Sequence, residues 1–402
     1  SDRRTDGDGA LLIRAMAGGK YVAFDPQDLK ARACEAAGLN SFGEAPFKTS
    51  LNILCRSLDA EARLGEEGTA KAEELLVGHL TERLRLEDFI ARHPEVVDQQ
   101  VAPAIFLVGM PRSGTTALAQ HLSEDPALRS IPRWESKRLT PPEHGAFTDR
   151  DPRIAEIRTE FAEAFRDMPW RQKILPNNYD DPAEHGLLMA LTFLNLQWPT
   201  LFHIPRWTEW ALAQDLTPGY EYMARVLKVL QWARPAERWN LKLPPDLFAI
   251  DTIAGVFPDA VFVWSHRDPV ESISSVCSLC TQVREKQGGA SVDPVEVGPE
   301  QLEFQARAVD LGLAARERIG EGRFVDVLQS DLGRDTVATI SALYDRLGLG
   351  MSSEYRSKLE RRIREKPRGR FGRHEHDLGS YGLTEDQVRN RFSVYIERFH
   401  TQ

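Results

Sequence analysis

The chain has 402 residues and 42% hydrophobic composition, enough to bury one large core with a helical extension without covalent staples. Its net charge of -9 at pH 7 argues against a partner held by broad neutralisation of a phosphate backbone, so nucleic acid is not expected. Cys34, Cys55, Cys277 and Cys280 are too few and scattered for a disulfide framework. No apolar run approaches the roughly 18 to 20 residues that span a bilayer, and the polar stretch Ser1 to Gly9 lacks a signal-peptide core; a cytoplasmic protein without a transmembrane segment is expected.

Residues 1–100 read as a helical extension packed on the core, with an amphipathic helix over 69–91 carrying Leu75, Leu76, Leu80, Leu84 and Ile90 and stopped by Pro94. From Ala104 the pattern changes: Ile105 to Val108 is a continuous apolar run typical of a strand buried on both faces, and a helix follows from Gly114. Trp239 to Leu243, Ala260 to Trp264 and Phe324 to Leu328 repeat that pattern. The cover helices are expected to start at Asp246, with Leu247, Ile250, Ile253, Ala254 and Phe257 inward, and to carry Val337, Ile340, Tyr344 and Leu347 before Gly348. Residues 129–238 read as a helical insertion near the functional edge of the sheet, and 288–299 reads as a mobile loop. Cys277 and Cys280 fit two small residues at i, i+3 on a helix better than a redox or metal pair. The fold class is α/β, a three-layer P-loop-like parallel sheet flanked by helices, spanning 101–402.

Gly109-Met110-Pro111-Arg112-Ser113-Gly114-Thr115-Thr116 has two glycines five apart between a buried strand and a helix, the frame of a phosphate-binding loop. A nucleotide triphosphatase places Lys after the second glycine; here Thr115 stands there and the positive charge sits at Arg112. That suits a shorter anion than a magnesium-bound triphosphate. The third apolar run ends in Ser265-His266-Arg267-Asp268-Pro269, a second anion site at a strand end, or else an Arg267–Asp268 surface pair. Together they ask for a ligand with two separated anionic groups.

These residues resemble the sulfotransferases that use 3′-phosphoadenylyl sulfate (PAPS), specifically the bacterial branch with a P-R-x-G-T-T loop. The resemblance implies that Arg112, Ser113, Gly114, Thr115 and Thr116 hold the 5′-phosphosulfate, and that Arg267, Pro269 and Ser275 match the R-x-P…S element that binds the 3′-phosphate. Trp134-Glu135 and Leu241-Lys242-Leu243-Pro244 resemble two further family elements, and Arg370 or Arg373, in the basic run Arg356 to Arg373, resembles the loop closing on the 3′-phosphate. Two positions depart from the pattern: Asp246 stands where relatives often carry His, and Gln329-Ser330-Asp331-Leu332 stands where Tyr-Glu-Asp-Leu is common.

The implied chemistry is in-line transfer without a metal, producing adenosine 3′,5′-bisphosphate. Arg112 and Lys242 would stabilise charge and Glu135 would be the base, with Asp246 and His266 as alternatives. The aromatic, Pro-interrupted stretch Phe193 to Trp210 suits a small apolar or aromatic alcohol or phenol. A nucleotide kinase and a non-catalytic nucleotide- or lipid-binding module are the competing readings.

Overall fold

The computed structural model describes residues 23–142, 151–167, 178–288, 291–365 and 377–399. Helix α1 (Pro26–Ala37) is opened by Asp25, whose carboxylate accepts from the Gln27 amide, and closed by Gly38 in the left-handed conformation. Helices α2 (Lys48–Glu61) and α3 (Glu66–Arg92) follow, and α3 buries Leu76, Leu80, Leu84 and Ile90, the stripe expected from the sequence. Arg83 on α3 is fully buried, because its guanidinium donates to the carbonyls of Phe42, Ala45 and Leu191. This ties the helical segment to the middle of the chain.

Strand β1 (Ala104–Val108) leads into α4 (Thr115–Leu122), followed by β2 (Leu128–Arg129), α5 (Arg133–Lys137) and α6 (Pro152–Asp167). Short helices α7 (Gly186–Met189), α8 (Trp198–Leu201) and α9 (Pro205–Leu212) precede the long α10 (Thr217–Ala233). Then come β3 (Arg238–Lys242), α11 (Ile250–Val256), β4 (Val261–His266), α12 (Pro269–Gly288), α13 (Pro294–Ile319) and β5 (Phe324–Leu328). Helices α14 (Gln329–Arg334), α15 (Thr336–Leu347), α16 (Ser353–Glu365), α17 (Glu385–Arg391) and α18 (Ser393–Phe399) complete the described chain.

The strands form one parallel sheet in the order β2-β3-β1-β4-β5. Alternation along the strands divides the core into two layers. Phe106, Leu241, Phe262 and Trp264 face α10, α12 and α13, whereas Ile105, Leu107, Val263 and Val325 face α4, α15 and α16. The expected three-layer α/β fold is therefore present. With β1 central and flanked by β3 and β4, its carboxyl end is a topological switch point, where such sheets leave a crevice.

Three local expectations are corrected. Strand β2 was missed, since two residues carry no periodicity. The helix expected from Asp246 is broken at Ala249, whose φ of -130° and ψ of 20° are not helical, into a 3₁₀ turn (Pro244–Phe248) and α11. The expected 288–299 loop is shorter: α12 reaches Gly288 and α13 begins at Pro294, with the Asp293 carboxylate accepting from the Val295 amide. Among the described residues no helix is long and apolar enough to cross a membrane.

Candidate active site

The crevice is built on the loop between β1 and α4. Gly109 has φ 137° and lies so close to β4 that a Cβ would meet the Ser265 carbonyl oxygen at 2.5 Å; Gly114, at φ 99°, opens α4. Between them Arg112 is held at φ 70°, a left-handed conformation that costs a non-glycine residue free energy. The Ser265 hydroxyl fixes the loop by donating to the Ser113 carbonyl at 2.6 Å. Buried Ser113 Oγ, which lies against Gly109, has no hydrogen-bond partner. Because α4 begins at Thr115, its first-turn amides have no intrahelical acceptor, and this cradle fits an anion.

Two further cations reach the loop. On β3, Lys242 lies with its Nζ 3.4 Å from Thr116 Oγ1 and pairs with the Glu184 carboxylate. From the end of β4, Arg267 donates through Nη1 to the Arg112 carbonyl at 3.0 Å and through Nε to Glu271 at 2.8 Å. Arg112 extends toward α12, where its Nε donates to Ser275 Oγ at 3.1 Å. The two sequence motifs thus meet in one cluster: Arg112 joins Arg267 and Ser275 instead of standing apart with the threonines. Withdrawal from water and the neighbouring Arg267 charge both lower the Arg112 pKa, an arrangement that a bound anion would relieve.

Residues 103–353 match the model of the sulfotransferase family. The chain belongs to that family. It is similar in structure to sulfotransferase STF9 from Mycobacterium avium, at 27% identity and TM-score 0.87, with 94% of this chain and 97% of that one covered. Sulfotransferase STF1 from Mycobacterium tuberculosis H37Rv is also similar, at 28% identity and TM-score 0.83, with 93% and 100% covered. Comparison with curated proteins finds no match. The chain is a sulfotransferase by family and fold.

Within this sulfotransferase the three expected base candidates lie in different surroundings. Glu135 on α5 is 1% exposed and pairs with Arg129 at 2.7 Å, while Arg129 stacks over Trp239. Burial raises the Glu135 carboxyl, opposed by Arg129, Arg153 and Arg234. Asp246 is completely buried, 3.1 Å from His185 Nε2 and accepting from the Tyr220 hydroxyl at 2.6 Å. His266 sits between Tyr395 and Asp326, at 3.0 and 2.9 Å; burial lowers its pKa, with the Asp326 charge opposing. Arg370 and Arg373 lie outside the described residues.

One acidic residue near the loop was not anticipated. Glu184 pairs with Lys242 through Oε1 and accepts from Gln197 through Oε2, and its side chain is partly buried, at 28% exposure, where those of Glu135 and Asp246 are sealed. Burial pushes it up, but Lys242, Arg133 and His185 more than offset this and hold it below the usual carboxylate range. It reaches the crevice because 179–183 runs back against 131–134: Ala183 donates to the Ile131 carbonyl at 2.7 Å, and Trp134 to that of Tyr179 at 3.0 Å. The stretch Phe193 to Trp210 adjoins it through Gln197, which donates to Glu184, although Phe193, Trp198, Phe202 and Trp207 are themselves packed into the core.

Proposed function

We propose that this sulfotransferase moves the sulfuryl group of PAPS to a hydroxyl of a small apolar or aromatic acceptor, releasing adenosine 3′,5′-bisphosphate. The observation that carries this reading is the convergence of Arg112, Arg267 and Lys242 on one glycine-bounded loop at the carboxyl ends of β1, β3 and β4. These side chains supply the charge stabilisation that the reaction requires, so no metal is invoked.

In this reading Ser113, Gly114, Thr115 and Thr116 hold the 5′-phosphosulfate with amides and hydroxyls. Arg112, Arg267 and Ser275 hold the 3′-phosphate, over which Arg370 or Arg373 would close. Glu184 takes the proton of the acceptor hydroxyl as its oxygen bonds to sulfur. Lys242 stabilises the charge left on the 5′-phosphate oxygen when the sulfur–oxygen bond breaks. Glu184 is assigned this step ahead of Glu135 because it combines exposure with a carboxyl kept ionised at neutral pH, whereas Glu135 is sealed against Arg129. The segment Phe193 to Trp210 meets Glu184 through Gln197 while its rings stack inside the core behind it, so the apolar or aromatic acceptor rests on the composition of that segment.

The test is incubation with radiolabelled PAPS and a panel of phenols and long-chain alcohols in the presence of a chelator, with products identified by mass spectrometry. Sulfated product and equimolar adenosine 3′,5′-bisphosphate are expected. Phosphoryl transfer from magnesium ATP, or tight nucleotide binding with no transfer to any acceptor, would overturn the reading.

A further inference from the structure

Two consecutive residues of one segment, Glu184 and His185, pair with Lys242 at the end of β3 and with Asp246 inside the 3₁₀ turn that follows it. The second pair is the deeper: His185 and Asp246 are both 0% exposed. A buried carboxylate is costly unless its lone pairs are satisfied. Asp246 meets that requirement at Oδ1 alone, which accepts from the Tyr220 hydroxyl at 2.6 Å and from His185 Nε2 at 3.1 Å, while the buried Oδ2 has no hydrogen-bond partner, so the carboxylate depends on both contacts.

Tyr220 belongs to α10, more than twenty residues before Asp246, so three separate parts of the chain converge on one carboxylate. His185 Nδ1 is buried without a hydrogen-bond partner, so the ring's side-chain hydrogen bond runs through Nε2 to Asp246. The ring's edge-on contact with Phe106 of β1, at 5.7 Å between centroids, holds its plane. The His185 amide also donates to the Lys242 carbonyl at 3.4 Å, so the segment meets β3 by backbone as well as side chain.

The next residue is fixed too. A Cβ on Gly186 would meet Gln197 Oε1 at 2.1 Å, and the Gly186 carbonyl accepts from Asn195 at 2.8 Å. Glu184 is thereby anchored from its C-terminal side by groups that are not themselves exposed in the crevice.

We infer that Asp246, His185 and Tyr220 form a buried positioning network that fixes Glu184 against Lys242, so that the acceptor side of the site is buckled to the donor side. Asp246 acts through His185 and Glu184 and is a positioning residue. The inference rests on the reading of Glu184 as proton acceptor, and the experiment separates the two.

The experiment compares Asp246→Leu, Asp246→Asn and Tyr220→Phe in the full chain, alone and combined with Glu184→Gln. It measures kcat and KM with PAPS and an accepted phenol, adenosine 3′,5′-bisphosphate affinity by calorimetry, and hydrogen exchange of the amides of residues 183–189. Asp246→Leu should lower kcat roughly 10- to 100-fold, the cost of a small misplacement of a reacting group, with nucleotide affinity within about twofold. Asp246→Asn, which can still accept from both partners, should stay within about threefold of the parent rate. In the Glu184→Gln background the Leu substitution should add less than about twofold, because the group it positions is gone. Faster exchange over 183–189 should accompany Asp246→Leu in both backgrounds.

A parent-like kcat in Asp246→Leu, losses that multiply with Glu184→Gln, or unchanged exchange would overturn the network. A parent-like rate in Glu184→Gln alone would instead remove the proton-acceptor reading, leaving hydrogen exchange to decide whether the network fixes the segment. Should Asp246→Leu fail to fold, Tyr220→Phe removes one hydrogen bond and keeps the ring; it should give a smaller kcat loss and faster exchange over 183–189, and a parent-like kcat with unchanged exchange would overturn the inference.

Discussion

Replacing Glu184 by Gln removes a negative charge while nearly preserving shape, and the two roles open to that carboxylate predict different results. As proton acceptor its loss should reduce kcat by roughly 10²- to 10⁴-fold, or about 3 to 5 kcal/mol of transition-state stabilisation. Lys242 is only 4% exposed and would lose its counter-ion. The unliganded variant should therefore melt lower, with saturating adenosine 3′,5′-bisphosphate recovering part of the difference by supplying a replacement anion. Nucleotide affinity should be unchanged or tighter, since the phosphate no longer competes with a carboxylate for Lys242. The pH profile supplies an independent sign. Burial raises the Glu184 carboxyl but Lys242 more than compensates, so it is deprotonated above a pKa lower than the ordinary carboxylate value. The acid limb of kcat/KM in the parent should accordingly fall below about pH 4.3, the usual value for Glu, and that limb should vanish in the variant. Stopped assays with PAPS, isothermal calorimetry and thermal melts measure all three. Turnover within threefold of the parent, or weakened nucleotide binding, would refute the reasoning.

Adenosine 3′,5′-bisphosphate should raise the melting temperature more than AMP does, and Arg267→Ala should abolish that preference; equal shifts in the parent would remove the Arg267–Arg112–Ser275 cluster as a 3′-phosphate site. Glu135→Gln should cost about 3 kcal/mol in urea unfolding, since it strands buried Arg129, while turnover of the folded protein stays within threefold; a large rate loss at unchanged stability would exchange the roles of Glu135 and Glu184. Glu300, lowered to about 2 because His203 and Arg284 outweigh its burial, should stabilise the fold at neutral pH. The stability gap between the parent and Glu300→Gln should be full above the unfolded-state pKa near 4.3 and shrink as pH falls toward 2; a gap independent of pH would show that the ionised carboxylate contributes nothing.

The sheet was legible because its strands are buried on both faces: Ile105 to Val108 and Phe262 to Trp264 read as unbroken apolar runs, Phe324 to Leu328 as one interrupted only by Asp326, and burial on both sides produces that pattern. The loop was legible for a different reason. Close approach of Gly109 to β4 and the positive φ of Gly114 admit no side chain without strain, so the backbone geometry writes itself into residue identity at fixed spacing. Strand β2 left no such mark, since its two residues gain their place by pairing with Arg238 and Trp239 across the insertion.

Glu184 belongs with β2, and the physical reason concerns sequence distance. A local motif can be read when one backbone feature dictates several neighbouring residues, as it does around the phosphate loop. The position of Glu184 is dictated by Lys242 and by Ile131, some fifty residues away on either side, and by Gln197 within its own segment. Each of those partners has an ordinary local explanation, so none announces the meeting. The same holds for Asp246, whose place after Pro244 and Pro245 suggested a helix start although its carboxylate is occupied by His185 and Tyr220. Lys242 was recognisable as a cation on a strand end, but only the fold reveals which carboxylate it faces. In the proposed reading, donor recognition rests on short motifs at one end of the sheet, while the placement of Glu184 rests on tertiary contacts. Substitutions on the two sides should accordingly separate into changes of nucleotide affinity and changes of kcat.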